Sequence, residues 1–309
     1  LEEDNIEPVH LFKHRDFPFS RTILNEVWSL KNSITNELDQ YDKIFVTSAD
    51  RMIFDPSKVD AEVICYVHDI IPTTTGFRLK QNKHLNMLSQ MFGERWYQNM
   101  LKCDKLICAS HQVKNDIHER TPYNGYVTTI YQGVDNLPHP IELDDHKYEY
   151  DFIYVGDTIE RKDPKAVKTL ASNLKPEQRM AVVADMEFDS EQVDTFQDVS
   201  DWRLAGLYAR SRAYFHPSLA EGFGRCPVEA QRYGCVVFAR VSKINSEILG
   251  ASYYGFAFAE DVVEYVDRML DSSEESEVNF SRLSRSSEEN AAKYQWGKTV
   301  HQVLQELHT

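Results

Sequence analysis

The chain of 309 residues contains no long basic run, and its 49 acidic side chains outnumber its 34 lysines and arginines to give a formal net charge of -15. A nucleic-acid backbone requires a surface rich in Lys and Arg, so this balance argues against a nucleic-acid partner. No apolar run approaches the length of a membrane span, and the opening residues LEEDNIEP lack the charged and apolar regions of a signal peptide. We therefore expect no transmembrane segment, while peripheral contact with a membrane stays open.

Cysteines are also few, with five in the chain and no C-x-x-C pair among them. An odd number of thiols, most of them inside apolar runs, argues against both a disulfide framework and a zinc site. We expect reduced, buried thiols in a cytoplasmic protein.

Apolar runs alternate with amphipathic stretches along the chain, which is the pattern of βα units and parallel sheets. The length exceeds the usual size of one core. Two prolines and clustered acids mark DNLPHPIELDDHKYEY (135–150) as a linker. The pattern predicts an α/β protein with two Rossmann-like parallel-sheet domains facing a cleft, over residues 1–136 and 137–290.

Individual elements follow from the same periodicities. Strands of the first sheet are expected at 8–12, 43–47, 61–68, 105–110 and 126–133, with helices at 20–38, 83–101 and 111–120. Strands of the second sheet are expected at 151–156, 180–185, 213–218 and 235–240, with helices near 164–173, at 202–211, from Pro227 and over 260–271. The Ser- and Glu-rich stretch 272–290 is expected to be partly loop and partly solvated helix.

Two glutamates lie eight positions apart in HPSLAEGFGRCPVEAQRYGC (216–235), on either side of a turn formed by Gly222, Phe223 and Gly224. Open parallel sheets bind ligands beyond the carboxyl ends of their strands, and a glycine turn feeding a helix directs unpaired amides at one point, where phosphate binds. Glu221 would reach a hydroxyl-rich group beside the phosphate, and Glu229 would accept from a vicinal diol. On spacing alone, a solvated Glu221 and a Glu229 that only complements the helix dipole stay open.

A longer stretch decides between these readings. LAGLYARSRAYFHPSLAEGFGRCPVEAQRYGCVVFA (204–239) resembles the E-x7-E segment of the retaining glycosyltransferases of family 4, which have the GT-B fold. DFIYVGDTIERKDP (151–164), VICYVHDIIP (63–72) and IYQGVD (130–135) resemble further segments of that family. YQWGKTVHQVLQEL (294–307) is similar to its terminal helix. The resemblance implies a terminal helix over 291–309 that crosses back onto the first domain.

Three departures from the family limit this resemblance. Ala184, Asp185 and Met186 stand where the family commonly has Gly-x-Gly, which leaves recognition of the base open. Gln132 replaces an asparagine. No Gly-Gly pair occurs in residues 1–60, so we expect a first domain that is shortened at its N-terminus.

The resemblance also implies roles for individual residues. Breaking a bond between a sugar and a nucleoside diphosphate builds negative charge on the leaving phosphate, and fixed cations there lower the barrier. Arg161 and Lys162 are the candidate cations, near Gly156 and aided by the amides of the 222–224 turn. The resemblance implies that His68 hydrogen-bonds a hydroxyl of the donor sugar and that Asp69 contacts the acceptor. Ser110 is expected only to cap a helix.

The implied activity is retaining transfer of a hexose-type sugar from a nucleoside-diphosphate sugar to a hydroxyl of a glycan, lipid-linked or protein-linked acceptor. The chain lacks the Asp-x-Asp triplet that commonly holds a cation on the diphosphate, so we expect no metal site, no cofactor and metal-independent activity. Two alternatives stay open. One is a catalytically idle GT-B subunit that binds nucleotide or glycan, and the other is a nucleotide-sugar epimerase or a phosphorylase-like enzyme.

Overall fold

The computed structural model describes residues 38–49, 52, 54–71, 95–138, 148–270 and 274–309. The strand expected at 8–12 and most of the helices expected at 20–38 and 83–101 lie outside these residues. The N-terminal segment, where the first domain is expected to be shortened, also lies outside them. The middle of the expected linker does so too.

Within the described residues, the first unit is built on a parallel sheet of four strands in the order β1-β2-β3-β4. The strands are β1 (Lys43–Val46), β2 (Glu62–Val67), β3 (Lys105–Cys108) and β4 (Tyr126–Thr129), with a short 3-10 helix at Pro56–Lys58 and helix α1 (His111–Arg120) between β3 and β4. The two central strands are apolar almost throughout, because both of their faces are covered.

In the described part of the second unit, six strands form a parallel sheet in the order β10-β9-β8-β5-β6-β7. Its strands are β5 (Tyr150–Val155), β6 (Met180–Val183), β7 (Val193–Phe196), β8 (Ser211–His216), β9 (Val236–Arg240) and β10 (Tyr253–Phe256). Its helices are α2 (Pro164–Ser172), α3 (Asp201–Ala209), α4 (Arg225–Arg232), α5 (Lys243–Leu249), α6 (Glu260–Leu270) and α7 (Glu274–Ala291). A 3-10 turn at Glu160–Lys162 precedes α2.

These two sheets confirm the predicted α/β class with two Rossmann-like parallel-sheet domains. The strand order reverses direction between β5 and β8, and the glycine turn follows β8. Open α/β sheets bind ligands at such a reversal. No helix among the described residues is both long enough and apolar enough to cross a membrane.

Two expectations for the second unit need correction. Helix α4 begins at Arg225 and not at Pro227, which lies in its first turn. The Ser- and Glu-rich stretch is helical from Glu274, and its helix α7 buries Phe280, Ser287 and Asn290 against the rest of the unit. The buried polar side chain of Asn290 is satisfied there, because it donates to Gln231 and to the carbonyl of Ile248.

The last helix, α8 (Trp296–His308), lies against the first unit. Thr299 donates to the carbonyl oxygen of Tyr131 at 2.8 Å, and the amide of Trp296 donates to Asp135 at 2.7 Å. Gly133 permits this approach, because a Cβ there would stand 2.5 Å from the Cα of Trp296. The C-terminal helix therefore joins the two units through the segment that follows β4.

Candidate active site

The cations of the candidate site are held on the 3-10 turn after β5. Asp163 ends this turn in a left-handed conformation and caps α2 by accepting from the amide of Ala166. Arg240 pairs with the other oxygen of Asp163 at 2.6 Å. The carbonyl of Arg161 accepts from the amide of Leu219 at 2.7 Å, which ties the turn to the loop after β8. These contacts place Arg161 and Lys162 directly at Glu221.

Glu221 is buried between the two cations. Its Oε2 lies 3.1 Å from Nη1 of Arg161, and its Oε1 lies 2.5 Å from Nζ of Lys162. Burial by itself would raise the pKa of Glu221, but the charges of Lys162, His216 and Arg161 outweigh it and lower this pKa to about 2. The carboxylate is therefore ionised at neutral pH. It pairs with Arg161 and Lys162, the two cations that are expected to bind a diphosphate.

The glycine turn contacts the first unit directly. A Cβ at Gly222 would collide with the carbonyl oxygen of His68 and lie 2.7 Å from Cβ of Asp69. Ser110 donates to the carbonyl of Gly222 at 2.6 Å, in addition to capping α1 by accepting from the amide of Val113. The expectation that Ser110 is only a helix cap is therefore wrong.

The turn also offers hydrogen-bond donors. Gly224 adopts a φ of 83° at the start of α4, a conformation that favours glycine. Within the described part of the chain, the amides of Gly222, Phe223 and Gly224 have no hydrogen-bond acceptor. The Phe223 ring is buried and packs edge-on against Tyr294, so this turn is fixed by its side chain while its amides stay available.

His68 closes β2 at the same edge of the first sheet. Gln132 lies with Nε2 2.6 Å from Nδ1 of His68, and the carbonyl of Thr47 lies 3.1 Å from Nε2. Because an amide nitrogen can only donate, Nδ1 accepts and Nε2 carries the proton. A sugar hydroxyl that bonds this ring would therefore have to replace Thr47.

Asp69 lies beside this histidine and is mostly buried. One of its oxygens accepts from the amide of Ile71 at 3.1 Å. Burial raises its pKa, Arg161 opposes this and Glu221 reinforces it. Asp69 of the first unit therefore shares an electrostatic environment with the cation pair of the second.

Glu229 is buried on α4, and both of its oxygens have protein partners. Oε1 accepts from Arg225 at 3.0 Å, and the hydroxyl of Tyr208 lies 3.4 Å from Oε2. Burial raises the pKa of Glu229, and the charge of Arg225 opposes that shift. Arg225 in turn contacts Asn136, in the segment that follows β4.

Gly156 lies at the end of β5, and its amide donates to the carbonyl of Val183. A Cβ at this position would run into the hydroxyl of Tyr154. Packing against Tyr154 is therefore sufficient to require glycine at this position, with or without a bound ligand. The five cysteines are free thiols, and the described residues contain no group of three or more side chains arranged to hold a metal ion.

Three residues at this edge carried no role in the sequence interpretation, namely His216, Glu247 and Gln132 as the partner of His68. Glu247 on α5 accepts from the amides of His111 and Gln112 at 2.7 and 2.9 Å and from the hydroxyl of Tyr131. It therefore caps α1 of the first unit from the second. The replaced asparagine was the one available signal for Gln132, and no sequence pattern marked the pairing of Glu247.

Residues 141–291 match the family model described as glycosyl transferases, group 1. This match spans β5 to α7 of the second unit and supports a glycosyltransferase. The serotype-specific mannosyltransferase WbdA of Escherichia coli is 26% identical over 107 residues, which are 35% of this chain and 13% of that protein. The chain thus matches a small part of this curated relative.

Solved structures resemble nearly all of the chain in fold. HepE of Anabaena, in complex with UDP and glucose, has a TM-score of 0.68 at 15% identity and is matched over 94% of this chain and 84% of its own. Sucrose-phosphate synthase of Thermosynechococcus elongatus has a TM-score of 0.66 at 13% identity, over 92% of this chain and 79% of its own. At these identities the likeness establishes the fold, which is GT-B.

Proposed function

We propose that this protein is a retaining glycosyltransferase of family 4, bearing the E-x7-E signature, that moves a hexose-type sugar from a nucleoside-diphosphate sugar to a hydroxyl acceptor. The observation that carries the proposal is the contact of Glu221 with Arg161 and Lys162 at a glycine turn that touches the first unit. The matching family, the bound UDP and glucose of HepE and the mannosyltransferase relative support it.

The cation pair is the proposed site of the donor diphosphate. Arg161 presents a planar fork of donors, and Lys162 presents a compact charge, so together they suit two neighbouring phosphate groups. The amides of the 222–224 turn add donors at the positive end of α4. Charge that develops on the leaving phosphate would be stabilised by groups that are already fixed in place.

The two glutamates would hold the sugar and the ribose on either side of that diphosphate. Glu221 lies at the cations and would accept from hydroxyls of the donor sugar, while Glu229 would accept from the ribose diol. His68 and Asp69 approach the turn from the first unit and would contact the donor sugar and the acceptor. Retention follows from attack on the same face as the leaving group, whose phosphate oxygen helps to remove the proton of the acceptor.

The test is to incubate the purified protein with UDP-glucose, UDP-galactose, UDP-N-acetylglucosamine and GDP-mannose, and to measure release of nucleoside diphosphate with and without simple glycan acceptors. We expect release from one donor, faster with an acceptor and unchanged by excess EDTA. The anomeric coupling constant of the product reports whether configuration is retained. An epimerase would yield a new nucleotide sugar. An idle subunit would bind nucleotide but would release no nucleoside diphosphate from the sugar donors. Either result would overturn the proposal.

A further inference from the structure

His216 ends β8 beneath the glycine turn, and its side chain is buried without a use in the proposed chemistry. The residue is 2% exposed, and its Nε2 has no hydrogen-bond partner among the described residues. A buried polar atom without a partner costs roughly 1–3 kcal/mol. Such an atom at a ligand site calls for a partner that arrives in another state of the site.

Glu221 and His216 face the same point from two sides. The Nε2 of His216 and the Cγ of Glu221 each lie 3.8 Å from the position that a Cβ on Gly224 would occupy. The charges that act on His216 are those of Glu221, Lys162 and Arg161. Burial lowers the pKa of His216 to about 4, with Glu221 opposing this and the two cations reinforcing it, so the ring is neutral near pH 7.

The present partners of Glu221 are the two cations that the proposed function assigns to the donor diphosphate. A diphosphate at Arg161 and Lys162 therefore competes with the Glu221 carboxylate for the same donors. Once displaced, this carboxylate would be buried beside a new negative charge and would lack a cation, which is an unfavourable state.

We propose that His216 is a positioning residue that provides Glu221 with its second partner: when a diphosphate occupies Arg161 and Lys162, the Glu221 carboxylate pairs with Nε2 of His216. This inference rests on the proposed function. Before binding, Glu221 is an anion and the imidazole is neutral. After binding, the imidazole has taken one proton from solvent and faces the carboxylate as an imidazolium, while the diphosphate neutralises the two cations that opposed this charge.

The remaining groups around the pair permit this change. Tyr214 and Tyr154 stay neutral, because burial raises the pKa of each above its usual value. Cys226 stays a thiol, since burial raises its pKa to about 11. Asp69 faces the same cluster, and burial raises its pKa, which opposes a further negative charge at this place. The new pairing would aim the Glu221 carboxylate at the turn, where the donor sugar is proposed to lie.

The measurement is isothermal titration of UDP and of GDP into the metal-free protein at pH 7.0, in Pipes, Hepes and Tris buffers. The dependence of the observed heat on the ionisation enthalpy of the buffer gives the number of protons taken up. For wild type we expect uptake of about one proton and an affinity that rises as pH falls from 8 to 6, since binding that takes up protons is favoured by acid.

Three variants divide the effect among residues. His216→Gln keeps a neutral donor near the position of Nε2 but cannot take a proton, so uptake should fall to near zero while the nucleotide still binds. Glu221→Gln removes the competing anion, so uptake should vanish and the bare nucleotide should bind as tightly as to wild type or more tightly. His118→Gln, on the exposed face of α1, is the matched control and should behave as wild type.

The outcomes separate this inference from the proposed function. Binding by wild type without proton uptake overturns the inference alone, as does uptake that persists in His216→Gln. Failure of both nucleotides to bind overturns the proposed donor site and the inference together. Melting temperatures of the variants show whether each is folded, and the wild-type measurement decides the matter even if a variant is not.

Discussion

Buried Glu229 has protein partners for both of its oxygens, and we propose that it also binds a ligand. Arg225 and Tyr208 each contact one of its oxygens, yet a carboxylate has about four acceptor positions, so further hydroxyls can bond to it. Its partners fix the direction of the carboxylate before any ligand binds. A ribose diol would then meet an acceptor that needs no reorganisation.

Replacing Glu229 should therefore weaken binding of the nucleotide itself. Glu229→Gln keeps the volume but loses the charge and one acceptor, and we expect the affinity for nucleoside diphosphate to fall by roughly 1.5–3 kcal/mol, the strength of hydrogen bonds to a charged group. Titration with the matching nucleoside diphosphate measures this. Glu221→Gln is the control, because it should not weaken binding of the bare nucleotide. Equal curves for Glu229→Gln and wild type would remove Glu229 from the site.

Among the elements, the glycine turn before α4 is one of the parts of the second unit that contact the first. The absence of a side chain at Gly222 is what allows the carbonyl of His68 to pack against it. Gly297 in α8 differs sharply from Gly222, because a Cβ on Gly297 would meet nothing within 4 Å. They form a matched pair for the same substitution.

Gly222→Ala should separate the turn from His68 and lower the melting temperature and the rate of donor turnover. Gly297→Ala should leave turnover unchanged and raise stability by up to about 1 kcal/mol, because alanine is favoured over glycine within a helix. Thermal unfolding and nucleotide release, measured on both variants, test this. A Gly222→Ala protein that works and melts like wild type would show that the turn does not depend on this contact.

The elements that the sequence predicted and those it did not differ in their exposure. The central strands β2, β5, β8 and β9 are buried on both faces and therefore read as apolar runs. Strands β7 and β10 lie at the two edges of their sheet, and their sequences VDTF and YYGF carry no such run. Helix α7 was misjudged because polar Ser287 and Asn290 form part of its buried face.

The candidate site shows the same limit. Glycines, glutamates and an Arg-Lys pair stand out in a sequence because they follow strands. Their partners do not, because the pairs are far apart along the chain: Gln132 lies 64 residues from His68, and Glu247 lies 136 residues from His111. The fold of the first unit brings Gln132 to His68, and the packing of one unit on the other brings Glu247 to His111.

At the scale of the whole molecule, Glu247 is the clearest link between the two units. Its carboxylate accepts from two amides in the first turn of α1, where the helix dipole favours negative charge. The hydroxyl of Tyr131 adds a third donor at 3.0 Å. This one side chain therefore joins α5 to two elements of the first unit.

Loss of this link should loosen the two units without unfolding either. For Glu247→Ala we expect faster amide exchange at His111 and Gln112, by roughly five- to thirtyfold for a lost cap of about 1–2 kcal/mol, and a larger radius of gyration by X-ray scattering. Glu247→Gln keeps one acceptor oxygen, so its amide exchange rate and radius of gyration should lie between those of wild type and Glu247→Ala. Unchanged exchange in Glu247→Ala would mean that the remaining contacts alone hold the units together.

Arg161 and Lys162 are proposed to stabilise the leaving diphosphate of a sugar donor, and turnover at saturating donor measures this effect. Losing one well-placed donor to a developing oxyanion costs about a hundred- to thousandfold in rate. Arg161→Ala and Lys162→Ala should each lose that much turnover, with a smaller loss of donor affinity, and Lys162→Arg should recover only part. Lys165→Ala, an exposed neighbour on α2, should turn over like wild type. If Arg161→Ala and Lys162→Ala are both folded and also turn over like wild type, the cation pair does not act on the leaving group and its proposed role is wrong.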